Sequence, residues 1–316
     1  MLQRLKEKGY LVLDGAMGSN LFELGLISGD SPESWNLEYP ERVKKVHQDF
    51  VESGSDIILT NTFGGNRYRL KLHQLENQVL ELNRTAVKIA RECSGGYVFV
   101  AGSMGPTGEI IQPLGALSFQ DAENAFLEQA LGLVEGGVDL LWIGTMSDLN
   151  ELKAACNAAS STGLPFAATM SFDTVGCTMM GVSPTDFVQF MEQFQAFAYG
   201  ANCGLGPDQL MKTIGEMKRA GGRNLIAKGN CGIPVFQEGQ IRYTGTKEVM
   251  ANYAGEVRDL GAELIGGCCG TTENHIHAMC SELKTRIYKP TTLKQPDPPR
   301  KNPKLKSRRR RRNPGS

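Results

Sequence analysis

The sequence of 316 residues has no apolar run near the roughly 18 residues that a membrane helix needs. That absence excludes a helical membrane protein. Nor does the N-terminus, MLQRLKEKGYLVLDG, carry the continuous apolar core of a secretory leader. A reducing cytoplasm is therefore the expected home, and eight cysteines there read as metal ligands, catalytic groups or small buried side chains rather than disulfides. Histidine is scarce, at four residues, which leaves little material for His-based acid–base or metal sites. No G-x-G-x-x-G follows the first apolar run, so a dinucleotide fingerprint is missing. Net charge is also absent, at +0, but the balance is uneven. Of 34 Lys and Arg, 11 lie in residues 287–316 beside a single Asp; residues 1–286 keep 23 basic against 33 acidic groups, a net charge of −10.

What the chain does have is a repeated alternation. Eight short apolar runs recur: LVLD (11–14), DIILT (56–60), YVFVAG (97–102), DLLWIG (139–144), FAATM (166–170), FAYGAN (197–202), NLIAK (224–228) and AELIGG (262–267). Each reads as a strand buried on both faces. Helical periodicity lies between them, over 41–54, 75–92, 119–137, 148–160, 184–194, 208–219, 247–260 and 273–286. Eight strands alternating with eight helices predict a single-domain (β/α)8 TIM barrel over residues 1–288, in preference to an open doubly wound sheet. Residues 289–316 are rich in Pro and Arg and nearly free of apolar side chains, and are expected to form a disordered basic tail. The tail is taken as solvated, so no nucleic-acid partner is expected; a nucleic-acid arm is the sharper alternative.

In such a barrel, chemistry gathers where strands end. Two adjacent cysteines, Cys268 and Cys269, stand in GGCCG at the end of the eighth run, and Cys203 stands in NCGLGP at the end of the sixth. Three thiolates meeting at one mouth suit zinc, and three protein ligands leave a vacancy, the pattern of a catalytic rather than a structural site. Cys231 is a competing ligand, whereas Cys93, Cys156, Cys177 and Cys280 are read as buried. His275 and His277 are read as surface or packing residues. A zinc centre would turn an incoming thiol into a thiolate, the reactive form of sulfur. A cationic ligand in the same mouth would call for aromatic faces. Trp35 and Trp142 are candidates, with Phe236 and Tyr243 behind them, although Trp142 lies inside a strand and suits packing better.

The stretches LVLDGAMGSNL, ESGSDIILTNTFGGNRYRL, GPTGE, SDLNELKAA, NCGLGP and GGCCGTT, in this order over residues 10 to 286, resemble the homocysteine S-methyltransferases. The resemblance implies a zinc (Zn2+) held by Cys203, Cys268 and Cys269, with Asn230 as a fourth ligand when substrate is absent. It implies an enzyme moving a methyl group from a small donor, betaine-type or S-methylmethionine, to homocysteine, giving methionine. Asp14 and the backbone of Ala16 and Met17 would hold the amino-acid end of homocysteine. One position departs. Where the family carries a glutamate for the substrate ammonium, this chain has Gly144. Losing that charge-assisted hydrogen bond is worth roughly 1.5–3 kcal/mol. Two alternatives follow: the same chemistry on a different thiol, or an inactive zinc-binding barrel with a binding or regulatory role. Monomer and homo-oligomer are both left open.

Overall fold

The computed structural model describes residues 1–237 and 240–292. The strands in chain order are β1 (Leu11–Val12), β2 (Ile57–Leu59), β3 (Phe99–Met104), β4 (Leu140–Met146), β5 (Phe166–Met170), β6 (Ala198–Cys203), β7 (Leu225–Gly229), β8 (Pro234–Gln237), β9 (Gln240–Tyr243) and β10 (Ala262–Gly267). Eight of them form one parallel sheet in the order β1-β10-β7-β6-β5-β4-β3-β2, and β8 and β9 make a separate antiparallel hairpin. The sheet closes through the Leu13↔Ile57 bridge, supported by backbone bonds from Asp56 N to the Val12 carbonyl (2.7 Å) and from Asp14 N to the Ile57 carbonyl (3.1 Å). The expected (β/α)8 barrel is the fold observed.

The helices are α1 (Leu2–Lys8), α2 (Met17–Glu23), α3 (Trp35–Glu38), α4 (Pro40–Glu52), α5 (Arg67–Lys71), α6 (Val79–Ser94), α7 (Phe119–Gly136), α8 (Leu149–Ser161), α9 (Pro184–Met191), α10 (Pro207–Arg219), α11 (Lys247–Asp259) and α12 (Glu273–Thr285). The eight periodic stretches correspond to α4 and α6 to α12 (the first turn of 75–92 is a 3-10 turn). Short α1, α2, α3 and α5 and the β8–β9 hairpin were not foreseen, because segments of four to seven residues carry too little periodicity to read. None of the described helices is long and apolar enough to cross a membrane.

Alternate strand residues separate two cores, as the two-residue period of a strand requires. Leu11, Leu13, Ile57, Ala101, Leu140, Trp142, Ala167, Ile226 and Leu264 point into the barrel, where Leu5 of α1 joins them. Their neighbours Val12, Ile58, Val100, Leu141, Ile143, Ala168 and Ile265 face the helices. Trp142 is therefore a barrel-interior side chain, 2% exposed, as its place within a strand suggests.

Just past the expected boundary at residue 288, the backbone still meets the barrel's Asp259. Lys289 N donates to Asp259 Oδ1 (2.9 Å), and Thr291 N to the Asp259 carbonyl (2.8 Å). The remainder of the predicted tail, from residue 293, lies outside the described residues.

Candidate active site

Cys203 ends β6, and Cys268 and Cys269 follow β10 directly. β7 lies between these strands and pairs with both. The topology thus brings three sulfurs from distant sequence positions to one end of the barrel. Their Sγ separations are 3.0 Å (Cys203–Cys268), 3.9 Å (Cys203–Cys269) and 4.0 Å (Cys268–Cys269). Two of these match the roughly 3.8 Å edge of a tetrahedron with Zn–S bonds of about 2.3 Å, and the third is shorter. Among the described residues this is the cluster of His, Cys, Asp and Glu close enough to share a metal ion. The donor set, all soft sulfur, fits zinc.

Local backbone explains how the sulfurs converge. Cys203 sits at φ 59°, in the left-handed region that non-glycine residues seldom adopt. Gly270, at φ 76°, closes the other loop, and a Cβ there would lie 2.3 Å from Cγ of Tyr243 on β9. Glycine therefore lets the hairpin press down on the cysteine loop. The Tyr243 hydroxyl lies beside the Cys269 sulfur, and burial raises the phenol's pKa. Asn230, after β7, ties the two loops together: its Nδ2 donates to the Gly204 carbonyl (2.7 Å), and its Oδ1 accepts the Cys269 N–H (3.1 Å). Asn202, beside Cys203, places Nδ2 3.7 Å from both the Cys203 and Cys268 sulfurs and 2.5 Å from Thr145 Oγ1.

These groups tune the cluster. The Cys203 and Cys269 thiols hydrogen-bond to Cys268 and, with the charge of Lys228, hold it well below the usual thiol range. Cys231 is not part of the cluster. Its Sγ is 3.2 Å from His275 Nε2 and 3.3 Å from the Gly245 carbonyl, and burial pushes its pKa up to about 11. His275 in turn accepts at Nδ1 from Thr272 N (3.1 Å), closing the first turn of α12, so it is a packing residue as expected. Of the four other cysteines, Cys156 and Cys280 are buried, but Cys93 and Cys177 are only partly so. Cys93 lies near the end of α6, and Cys177 lies in the turn that bridges to Thr174.

The sulfurs open into a cavity of about 360 Å³. Asp14, Ala16, Met17 and Gly144 all line it, so the residues expected to meet substrate do share one space with the cysteines. Their hydrogen-bonding capacity is already partly spent. The Ala16 N–H donates to the Thr271 carbonyl (3.2 Å). Asp14 is 2% exposed, and its Oδ2 accepts the Leu59 N–H (2.6 Å). Its Oδ1 is 3.1 Å from Nζ of Lys228, an ion pair without the alignment of a hydrogen bond. Burial raises the Asp14 pKa, and the Lys228 charge opposes that rise. At Gly144 a Cβ would fall 2.1 Å from Thr169 Oγ1, so the glycine is matched to its neighbour.

Sequence reasoning missed Lys228, Asn202 and Glu33. Lys228 left a signal: a lysine closing the apolar run NLIAK must bury its charge or leave the strand. Glu33 left none, standing in a short 3-10 turn (Pro32–Ser34). It is 5% exposed and lines the cavity, with Oε1 accepting from Gly64 N (2.6 Å) and Oε2 from Ser31 Oγ (2.9 Å). Trp35 lies in an adjoining cleft, and its ring is already covered by the Arg42 guanidinium, 4.9 Å from the centroid. The Phe236 side chain is outside the described residues.

A family model described as homocysteine S-methyltransferase matches residues 11–283. A methionine synthase of Mycobacterium leprae is 28% identical over 302 residues, covering 90% of this chain and 25% of that protein. One from Mycobacterium tuberculosis is 29% identical over 292 residues, covering 86% and 24%. The chain thus spans about a quarter of the length of these relatives. Among solved structures, the metallated form of the homocysteine methyltransferase MmuM from Escherichia coli superposes with a TM-score of 0.75 at 23% identity, covering 88% of this chain and 98% of that one. Its oxidized form gives 0.73 at 25% identity, covering 89% and 98%.

Proposed function

Because the chain belongs to the homocysteine S-methyltransferase family, we propose that it transfers a methyl group from a small onium donor to a thiol sulfur. Homocysteine is the acceptor that the family and the named relatives point to. The observation that carries this reading is the convergence of the Cys203, Cys268 and Cys269 sulfurs at the floor of a ligand-sized cavity. These three residues would hold zinc, with the Asn230 oxygen beside Cys269 as the chain's own group for the remaining position. When bound, zinc supplies the Lewis acidity that keeps a thiol deprotonated at neutral pH.

The chain's residues do the rest. Asn202 donates toward the Cys203 and Cys268 sulfurs and moderates their negative charge. The loop of Ala16 and Met17 and the wall at Gly144 bound the space in which the acceptor lies. In the transfer a sulfur–carbon bond forms as the methyl–donor bond breaks, the electron pair leaves with the donor, and the thiol proton passes to solvent. A sulfonium or quaternary ammonium donor fits because it departs neutral. The barrel, residues 1–288, is the catalytic unit, and the basic tail stands outside the chemistry. Eight free thiols suit a reducing compartment, the cytoplasm.

The test is direct. Zinc-loaded protein is incubated with homocysteine and, in turn, S-methylmethionine and betaine, and methionine is measured by mass spectrometry. Methionine formed with either donor supports the reading. Stoichiometric zinc without methyl transfer to any thiol in a panel would favour the inactive zinc-binding barrel. A second reading keeps the chemistry and changes the thiol; Gly144, which offers no carboxylate where the family carries a glutamate, favours it.

A further inference from the structure

Glu33 is 5% exposed and lines the cavity that holds the sulfur cluster. Its turn is braced against the chain that follows β2. Asn61 Nδ2 donates to the Pro32 carbonyl (2.6 Å), and Gly64 N donates to Glu33 Oε1 (2.6 Å). Ser31 Oγ donates to Oε2 (2.9 Å). A Cβ at residue 64 would fall 2.9 Å from Oε1, so glycine there admits the carboxylate to the cavity wall.

Both hydrogen bonds come from neutral groups, and a carboxylate has about four acceptor sites. Among the described residues no Lys, Arg or His forms an ion pair with Glu33. Asp14, the other buried carboxylate of the cavity, has Lys228 beside it at 3.1 Å. A charge buried as deeply as that of Glu33 calls for a partner, and the cavity is where one can enter. The missing positive charge is one that a ligand brings.

In-line displacement indicates which ligand. The methyl carbon stands between the attacking sulfur and the leaving atom of the donor. The sulfur sits at the cluster, held from β6 and β10, whose shared neighbour is β7. In the closed barrel β3 faces β7 across the mouth, and β2 is next to β3. The positive centre of the donor, one methyl group beyond the sulfur, therefore lies toward the wall built on β2 and β3. Phe63, adjacent to Gly64 and 45% exposed, lines the cavity there and offers that centre an aromatic face.

We propose that Glu33 is the counter-charge of the methyl donor, its carboxylate seating a sulfonium or quaternary ammonium centre across the cavity from the thiol. This rests on the thiol-methyltransferase reading and adds to it the residue that selects the donor's charge. As the sulfur–carbon bond forms, the electron pair of the methyl–donor bond leaves with the donor, which departs neutral. Its attraction to Glu33 ends with the transfer, so the same carboxylate that holds the donor lets the spent product go.

The zinc-loaded full chain and its Glu33→Gln variant are titrated by calorimetry with S-methylmethionine, betaine and homocysteine. Glutamine keeps the side-chain length and an oxygen for Gly64 N. At least one onium compound should bind wild type and lose roughly tenfold or more in the variant, with homocysteine unchanged within about twofold. A loss confined to homocysteine overturns the proposal and gives Glu33 to the acceptor's ammonium. An equal loss for all three ligands, no loss for any, or no onium binding to wild type overturns it as well. If the variant does not fold, betaine and 3,3-dimethylbutyrate, which differ only in a cationic nitrogen against a neutral carbon, are compared on wild type. Betaine should bind about tenfold tighter or more, and equal or absent binding overturns the proposal. If zinc binds but homocysteine does not, the thiol-methyltransferase reading itself fails, a result separate from any seen with the onium ligands.

Discussion

Asn230 accepts the backbone N–H of Cys269 at 3.1 Å and so holds a cysteine of one strand end from the end of its neighbour. Its Nδ2 holds the Cys203 loop at Gly204 (2.7 Å). Outer groups of this kind typically govern metal affinity by about 10- to 100-fold. Asn230→Ala is expected to weaken zinc binding by about that factor, measured by competition with a chromophoric chelator. Unchanged affinity would mean that the brace has no bearing on the metal.

Cys203→Ala, Cys268→Ala and Cys269→Ala should each lower zinc content and methyl transfer together, since two sulfurs cannot complete the site. Cys231→Ala should keep zinc stoichiometric, because that thiol is spent on His275 and Gly245. Elemental analysis of the four purified variants checks both statements. Full zinc occupancy in all four would remove the ligand assignment.

Gly144→Ala places a methyl group 2.1 Å from Thr169 Oγ1. Overpacking of this kind costs about 1–3 kcal/mol. Urea unfolding should report a loss in that range, and Thr169→Ala in the same chain should recover most of it. Non-recovery would place the strain elsewhere.

His47 is fully buried on α4, and neither ring nitrogen has a hydrogen-bond partner among the described residues. Burial lowers its pKa from 6.5 to about 4. Below pH 6.5 the unfolded chain takes up a proton that the folded chain refuses, so this contribution to stability is whole above pH 6.5 and falls away toward pH 4. The full loss is on the order of 3 kcal/mol, at about 1.36 kcal/mol per pH unit. Asp14 and Glu151, whose pKa values burial raises, act with the opposite sign. The difference between wild type and His47→Leu therefore isolates the histidine: the stability of wild type relative to the variant should fall as pH drops from 6.5 to 4. A gap independent of pH would show that His47 does not titrate differently in the two states.

The β-branched runs such as DIILT and NLIAK could be assigned without a structure because a strand covered on both faces must be apolar at every position. The helical stripe of Val43, Val46 and Phe50 was equally plain, and all three are buried. The cysteines were legible as a set because strand ends in a barrel share one mouth. The β8–β9 hairpin was not legible, nor was Tyr243's approach to Cys269, since both depend on how a loop folds back over the site.

The sequence alone thus determined the barrel, its sulfur donors and the glycine at position 144, because periodicity and residue chemistry are local properties. Which charges lie beside one another was decided only in three dimensions. Asp14 and Lys228 are separated by most of the chain, and only closure of β1 onto β10 and β7 sets them 3.1 Å apart. A carboxylate that reads as a ligand for substrate in one dimension also lies, in the folded protein, beside a lysine of the same chain, because a charge buried that deeply requires a partner.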